Sequence, residues 1–360
     1  MRFYEASLLK TGLELPLVLN LQRVIDGWEL PFFRRFHAVF ESLGYEMSPI
    51  YRDLGIDSSR FDDLSSGVKG GQLVHLLGEI ARRHNDSSVG IKLGMLREPK
   101  SLGYRFYIAF FSATLGEALI DFSFETFVYV PLVDISVIDS EPQAVLDLAY
   151  WIESSDLRYQ SDTDLITSVR LIRALLQNPA WSPDSVSLKY QLPAADLAEL
   201  ENILGCPIAT GCDRTALYFP RSLLEEKLEF ADARMKQAVK TLHHQELDQA
   251  NWSLTTDEKV NLYLIHHFRR FGVLADNQQV AEAFGLSVSS LNRQLMRCRT
   301  SYRTLRTRIL EDLAKYYLLE TEVSLEFLAI KLGYQNVTAF HRMFKQLTGI
   351  SPAAIRRKHG

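Results

Sequence analysis

The chain has 360 residues, 47% of them apolar and 23% charged, an ordinary globular composition with room for two or three domains at about 100–200 residues each. Chains of this size bury sizeable cores without staples, and the three cysteines, Cys206, Cys212 and Cys298, have no His or Cys pair at zinc-site spacing beside them, so neither a disulfide framework nor a metal or cofactor is expected. The formal net charge of −4 hides an asymmetry: residues 257–360 carry 16 Lys+Arg against 9 Asp+Glu, and residues 1–256 carry 24 against 35, which joins a basic, polyanion-compatible end to an acidic body.

Met1 to Asn20 is interrupted by Glu5, Lys10 and Glu14 and lacks the apolar core of a leader. The strongest apolar run, Phe106 to Phe111, falls far short of the roughly 20 residues that span a bilayer, so a soluble cytoplasmic protein with no membrane contact is expected. Asp26 to Leu43 reads as a helix from the spacing of Trp28, Phe32, Phe36, Val39, Phe40 and Leu43. Gly71 to Arg83, with Leu73, Leu76, Leu77 and Ile80 on one stripe, and Thr114 to Phe124 are further helices. Phe127 to Asp139 and Ala144 to Trp151 are β-rich, and the turn-like Asp139-Ser140-Glu141-Pro142 between them predicts a hairpin. Leu165 to Leu176 reads as helix stopping before Asn178-Pro179, Val186 to Leu192 as strand, Ala195 to Leu204 as helix ended by Gly205, and Ala216 to Phe219 as a short strand.

Residues 231–253 are polar, free of Gly and Pro, and predict a linker or pairing helix on which His243-His244 would lie on a solvated face. Residues 254–360 read as all-helical. Thr255-x-x-Glu258 is a capping-box pattern for a helix burying Val260, Leu264 and Phe268, and Asp276 can cap the next. Tyr302 to Leu319 predicts a longer helix with Leu305, Ile309, Leu313 and Tyr316 on one side.

This last third contains a degenerate repeat. Val280-Ala281-x-x-x-Gly285 returns 48 residues later as Leu328-Ala329-x-x-x-Gly333, and Leu291-x-Arg293 returns 49 residues later as Phe340-x-Arg342. The offset grows because the second turn is one residue longer. Each copy follows the helix-turn-helix plan, at about 277–298 and 325–348. The small Ala lets two helices cross closely, and the Gly suits a turn at positive φ. Val288, Leu291 and Leu295 form the docking stripe of the first reading helix, leaving Ser289, Asn292, Arg293 and Arg297 on the other side; Phe340, Phe344 and Leu347 do so in the second, leaving Thr338, His341, Arg342 and Lys345. Such polar faces donate to phosphates and base edges in the major groove of DNA.

With these residues the chain resembles the AraC/XylS-type transcription regulators. Ala329, Gly333-Tyr334, Ala339-Phe340, Arg342, Phe344-Lys345, Thr348-Gly349 and Ser351-Pro352 match the second half of that family's DNA-binding domain. Val280-Ala281, Leu286-Ser287, Leu291, Arg293, Leu295, Leu305 and Ala314-x-x-x-Leu318 match the first. The resemblance implies seven helices, with two reading helices entering successive major grooves. Two positions depart from it: Arg299 stands where a Gly is usual after the first reading helix, weakening the expected cap, and Leu310 replaces an Arg common in the linking helix. Residues 1–230 resemble the N-terminal domain of the family branch named after arabinose binding, through Glu98-Pro99, Leu102-Gly103-Tyr104, Thr114 to Leu119, Leu204 to Pro207, Ala216-Leu217-x-Phe219-Pro220 and Leu223-Leu224. That implies effector sensing or oligomerisation without naming an effector.

The expected architecture is an α+β N-terminal domain (1–230), a linker helix (231–253) and an all-α DNA-binding domain with two helix-turn-helix units (254–360). The resemblance implies an activator, with double-stranded promoter DNA, RNA polymerase, a small-molecule effector and a second copy in a homodimer as its partners. No G-x-S-x-G, phosphate loop or H-E-x-x-H is present, and Asp62-Asp63, Glu225-Glu226 and the Ser65-Ser66-Gly67 stretch read as surface and loop, so no enzyme is expected. The rivals are an effector-free regulator whose first domain binds only protein or itself, and an enzyme fused to a DNA-binding module, for example a Cys-dependent DNA-repair protein. The latter needs an activated Cys with basic or His neighbours.

Overall fold

The computed structural model describes residues 29–30, 34–61, 68–129, 133–150, 154–249, 255–320 and 323–359. Trp28, Phe32, Asp62-Asp63, Ser65-Ser66-Gly67, Trp151 and the stretch Met1 to Asn20 lie outside the described residues, as do the side chains of Phe36, Leu73 and Tyr316. Among the described residues no helix is long and apolar enough to cross a membrane. The chain divides into two compact units, one holding residues 29–249 and the other 255–359.

The first unit mixes helices with a five-stranded sheet. Its opening part is a small helical layer: α1 (Arg34–Ser42), α2 (Met47–Asp53), α3 (Gly70–His84) and α4 (Val89–Leu96), packed around Phe40, Ile50, Leu76, Leu77, Ile80 and Val89. The first helix is shorter than Asp26 to Leu43, because Glu29–Leu30 form a strand, β1, that pairs antiparallel with β2 (Val68–Lys69). Helices α5 (Tyr104–Phe110) and α6 (Leu115–Tyr129) follow. The β-rich Phe127 to Tyr129 finish α6 rather than start a strand; Phe127 is fully buried, and tertiary packing overrides its β preference.

Strands β3 (Val133–Ile138) and β4 (Gln143–Tyr150) make the expected hairpin, with Ile135 opposite Leu148. Helix α7 (Leu157–Leu175) begins eight residues before the predicted start at Leu165. Its first turns carry the buried polar residues Ser161, Asp162 and Thr163, which hide the helix from an apolar-spacing argument. It crosses α4 so closely that a Cβ on Gly90 would fall 2.2 Å from the Tyr159 carbonyl oxygen, and Thr163 Oγ1 donates to the Gly90 carbonyl at 2.9 Å across the contact. After α7 come β5 (Ser185–Ser187), α8 (Ala194–Leu204, closed by Gly205 at φ 77°), β6 (Ile208–Ala209) and β7 (Thr215–Pro220). Strand β5 covers only the first part of the predicted Val186 to Leu192. The sheet order is β3-β4-β7-β5-β6, antiparallel except for β5 with β6.

Helix α9 (Ala233–Gln249) also belongs to the first unit and packs on α5. Three acids spaced one turn apart on α6 face three basic positions spaced likewise on α9. Lys236 Nζ lies 2.5 Å from Glu117 Oε1 and also pairs with Asp121; Lys240 Nζ lies 2.6 Å from Asp121 Oδ1; His244 Nε2 lies 3.4 Å from Glu125 Oε2. Each rung joins residues 119 apart, so the two helices run parallel. This corrects the solvated reading of the histidine pair: His243 is 2% exposed, against Tyr104 and Glu125.

The second unit is seven helices among the described residues: α10 (Thr256–Phe271), α11 (Asn277–Ala283), α12 (Val288–Arg297), α13 (Tyr302–Glu320), α14 (Leu325–Lys331), α15 (Val337–Thr348) and α16 (Pro352–His359). Thr255 and Glu258 close the capping box of α10, which buries Val260, Leu264 and Phe268. Helix α13 buries Leu305, Ile309 and Leu313, packs on α10, and meets α15 and α16. Leu310, in place of an Arg, is buried too.

Candidate nucleic-acid interface

The repeat is physical as well as textual. Four helix N-termini carry side-chain caps in matching order. Asp276 Oδ1 accepts from Gln279 N at 2.8 Å and Ser324 Oγ from Phe327 N at 3.1 Å, 48 residues apart. Ser287 Oγ accepts from Ser290 N at 3.2 Å and Asn336 Oδ1 from Ala339 N at 2.8 Å, 49 residues apart. A capping side chain satisfies a backbone N–H that the helix itself leaves orphaned. The added residue falls in the turn, where Gly285 and Gly333 both take positive φ, 63° and 82°.

In each unit the first helix buries an aliphatic residue and an Ala, Val280 and Ala281 in α11 and Leu328 and Ala329 in α14. The second helix docks through Leu291 and Leu295 in α12, and through Phe340 and Phe344 in α15. Val288 is half-buried, and Leu347 is exposed rather than part of the stripe, since α15 ends one residue later at the Gly349 cap.

The opposite faces are open. Ser289, Arg293 and Arg297 on α12 are exposed, as are Thr338, Arg342 and Lys345 on α15. Asn292 and His341 are half-buried at the edges of these faces, and Asn292 Oδ1 accepts from Asn277 Nδ2 at 3.4 Å, tying α12 to α11. Residues at i, i+3, i+4 and i+7 share one side of a helix. On α12 these are Ser289, Asn292, Arg293 and Met296; on α15 they are Thr338, His341, Arg342 and Lys345. The fourth position was missed in the first copy because only polar residues were sought there. Met296 is 72% exposed at the centre of the face, in the place Lys345 holds in the second copy. Carrying the 49-residue offset through the whole helix finds it. Among the described residues Arg293, Arg297, Arg342 and Lys345 form no ion pair with an acidic side chain, so their charge faces outward.

Arg299 follows α12 at φ 55°, the left-handed conformation usually left to Gly, and its N–H donates to the Met296 carbonyl at 2.9 Å.

Two family models match the chain. One, the arabinose-binding domain of AraC transcription regulators, N-terminal, covers residues 44–228; the other, a helix-turn-helix domain, covers residues 280–358. HTH-type transcriptional regulators of Mycobacterium tuberculosis and Mycobacterium bovis are each 22% identical over 287 residues, 78% of this chain and 81% of theirs. The crystal structure of the transcriptional regulator CdpR from Pseudomonas aeruginosa aligns at 18% identity and a TM-score of 0.44, covering 86% of this chain and 96% of that one. With more than half its length under the first model and the two reading units under the second, the chain belongs to the AraC transcription regulators and is a transcriptional regulator with a helix-turn-helix DNA-binding domain.

Proposed function

We propose that this regulator binds double-stranded promoter DNA sequence-specifically, laying α12 and α15 into two successive major grooves, and that it is a cytoplasmic, effector-responsive activator rather than an enzyme. The observation that carries the reading is the pair of equivalent open faces, Ser289, Asn292, Arg293, Met296 and Arg297 beside Thr338, His341, Arg342 and Lys345, on helices with matching caps. Arg293, Arg297, Arg342 and Lys345 would meet phosphates or guanine; Ser289, Asn292, Thr338 and His341 would supply shorter-range readout. Residues 254–360 would be the DNA-binding domain, residues 1–230 the effector-sensing or pairing domain, and residues 231–253 the linker between them. The ion-pair ladder on α9 supports a linker held by the sensor, whose release or tightening an effector could bias. Exposed Phe327 and Ile330 on α14 offer an apolar contact for RNA polymerase, and a homodimer is consistent with the family.

Selection of binding sites from random duplex DNA with the purified full chain tests the reading. An enriched two-box motif supports it; unselective, purely salt-dependent binding refutes sequence recognition.

A further inference from the structure

The two reading helices are equivalent in frame but not in chemistry. At the 49-residue offset Ser289 corresponds to Thr338 and Arg293 to Arg342, so a hydroxyl and a guanidinium are kept in both. Two other positions change character. Asn292 corresponds to His341, and Met296 to Lys345. Met296 is 72% exposed, and Lys345 is exposed too. Round the helix, Met296 projects between Asn292 and Arg293, and Lys345 between His341 and Arg342. The pair one residue further on, Arg297 and Gln346, lies beyond the two arginines on the other side.

The residues behind these positions differ as well. Asn292 Oδ1 accepts from Asn277 Nδ2 at 3.4 Å, a tether from α11 that leaves the Asn292 amide a second lone pair and its N–H groups. The position 48 residues on from Asn277 is Leu325, whose side chain has no hydrogen to donate. The second head therefore lacks this tether, and its half-buried His341 carries two ring nitrogens that point apart.

Each set of groups has its own base edge. An asparagine amide pairs side by side with adenine N6 and N7, an apolar side chain covers the thymine methyl, and a lysine donates to guanine O6 and N7. An imidazole with diverging nitrogens cannot make adenine's side-by-side pair. Asn292 and Met296 leave α12 one turn apart, about 5–6 Å, which is one or two steps of about 3.4 Å along a DNA strand. We infer that the two heads demand different bases. Helix α12 selects A·T pairs, an adenine through Asn292 and a nearby thymine methyl through Met296. Helix α15 selects guanine through Lys345. The site then has a fixed polarity, and its two boxes cannot be exchanged. The inference rests on the two-groove reading above.

Mobility shifts with the full chain, on sites it selects from random duplex DNA, test this. Arg293→Ala and Arg342→Ala assign the boxes, since each should relax base preference in one of them. In the box assigned to Arg293, replacing one thymine by deoxyuridine removes a single methyl and should weaken binding about fourfold. The same replacement in the other box should have no effect. Met296→Lys should abolish the methyl sensitivity and favour guanine at that position. Lys345→Met should lose a guanine preference in the second box. Both substitutions are on exposed positions and leave the packed stripes intact. Exchanging the two boxes should weaken binding at least tenfold. A first box without thymine, methyl sensitivity equal in both boxes or retained in Met296→Lys, a second box unaltered by Lys345→Met, or equal affinity for exchanged boxes each overturns the inference while the two-groove reading stands. If neither arginine variant changes either box, the two-groove reading fails and this inference with it.

Discussion

Glu125 on α6 and His243 on α9 meet inside the first unit with Nε2 3.6 Å from Oε2 and exposures of 0% and 2%. They lie beside the last rung of the ladder, where His244 meets the same Glu125 carboxylate, in the half of α9 nearer in sequence to the DNA-binding helices. Burial pulls the His243 pKa down to about 4, against the opposing pull of Glu125; His244 and Arg105 push the same way as burial. His243 is therefore neutral in the folded protein, while an unfolded chain carries a histidine near 6.5. Between those values the unfolded state binds the extra proton, so stability rises with pH across the window and is lost as pH falls from about 6.5 towards 4. The full window is worth up to roughly 3 kcal/mol. Denaturant melts at pH 5 and pH 7 should show a smaller gap for His243→Gln than for the natural chain; an identical gap would mean that His243 does not titrate as its burial requires.

Arg299 holds a left-handed backbone that costs a non-glycine residue about 1 kcal/mol. Arg299→Gly should therefore raise the stability of the second unit by about 1 kcal/mol, offset in part by the greater freedom Gly gives the unfolded chain. Chemical denaturation measures it, and a loss of stability would show that the Arg299 side chain contributes more than its backbone costs.

The second unit was legible because its determinants are local. Caps, the Gly turns and the Leu291/Leu295 and Phe340/Phe344 stripes all lie within one helix or one turn of each other. The buried face of α9 was not, since its partners sit 119 residues away on α6 and its composition is that of a solvated helix. The polar start of α7 failed for a related reason: Asp162 is buried by tertiary contacts no spacing rule records. Strands of two residues, such as β1 and β2, carry no period to read. Met296 was hidden by chemistry rather than distance, an apolar residue standing on a face sought for its polarity.

On the reading faces, Arg293→Ala and Arg342→Ala should each weaken specific DNA binding. A lost bidentate guanine contact costs about 1–3 kcal/mol and relaxes preference at one base pair. Met296 offers an apolar surface suited to a thymine methyl. Replacing thymines of the selected site by uracil, one at a time, should cost the natural chain about 0.8 kcal/mol at one position, and Met296→Ala should abolish that sensitivity. Unchanged affinity in both arginine variants would remove these faces from the interface.

Residues 255–359 lie in a different compact unit from residues 29–249, and residues 254–360 should bind DNA without the rest of the chain. Their 16 basic residues against 9 acidic ones from residue 257 onward predict affinity that falls steeply with salt. A mobility shift at two salt concentrations checks this. A folded fragment with no salt-sensitive binding would show that the first unit supplies part of the interface.

On the proposed function one chain reads two grooves through α12 and α15, joined by α13. That helix has 19 residues and at about 1.5 Å per residue spans about 28 Å, a length matched to two sites about one helical turn apart on one face of the duplex. Footprinting on selected sites whose two boxes are separated by an extra five base pairs tests it most directly. About half a turn carries one box to the opposite face, so protection of one box should be lost and affinity should fall towards that of a single reading helix. Equal protection of both boxes by one chain at every spacing would contradict it.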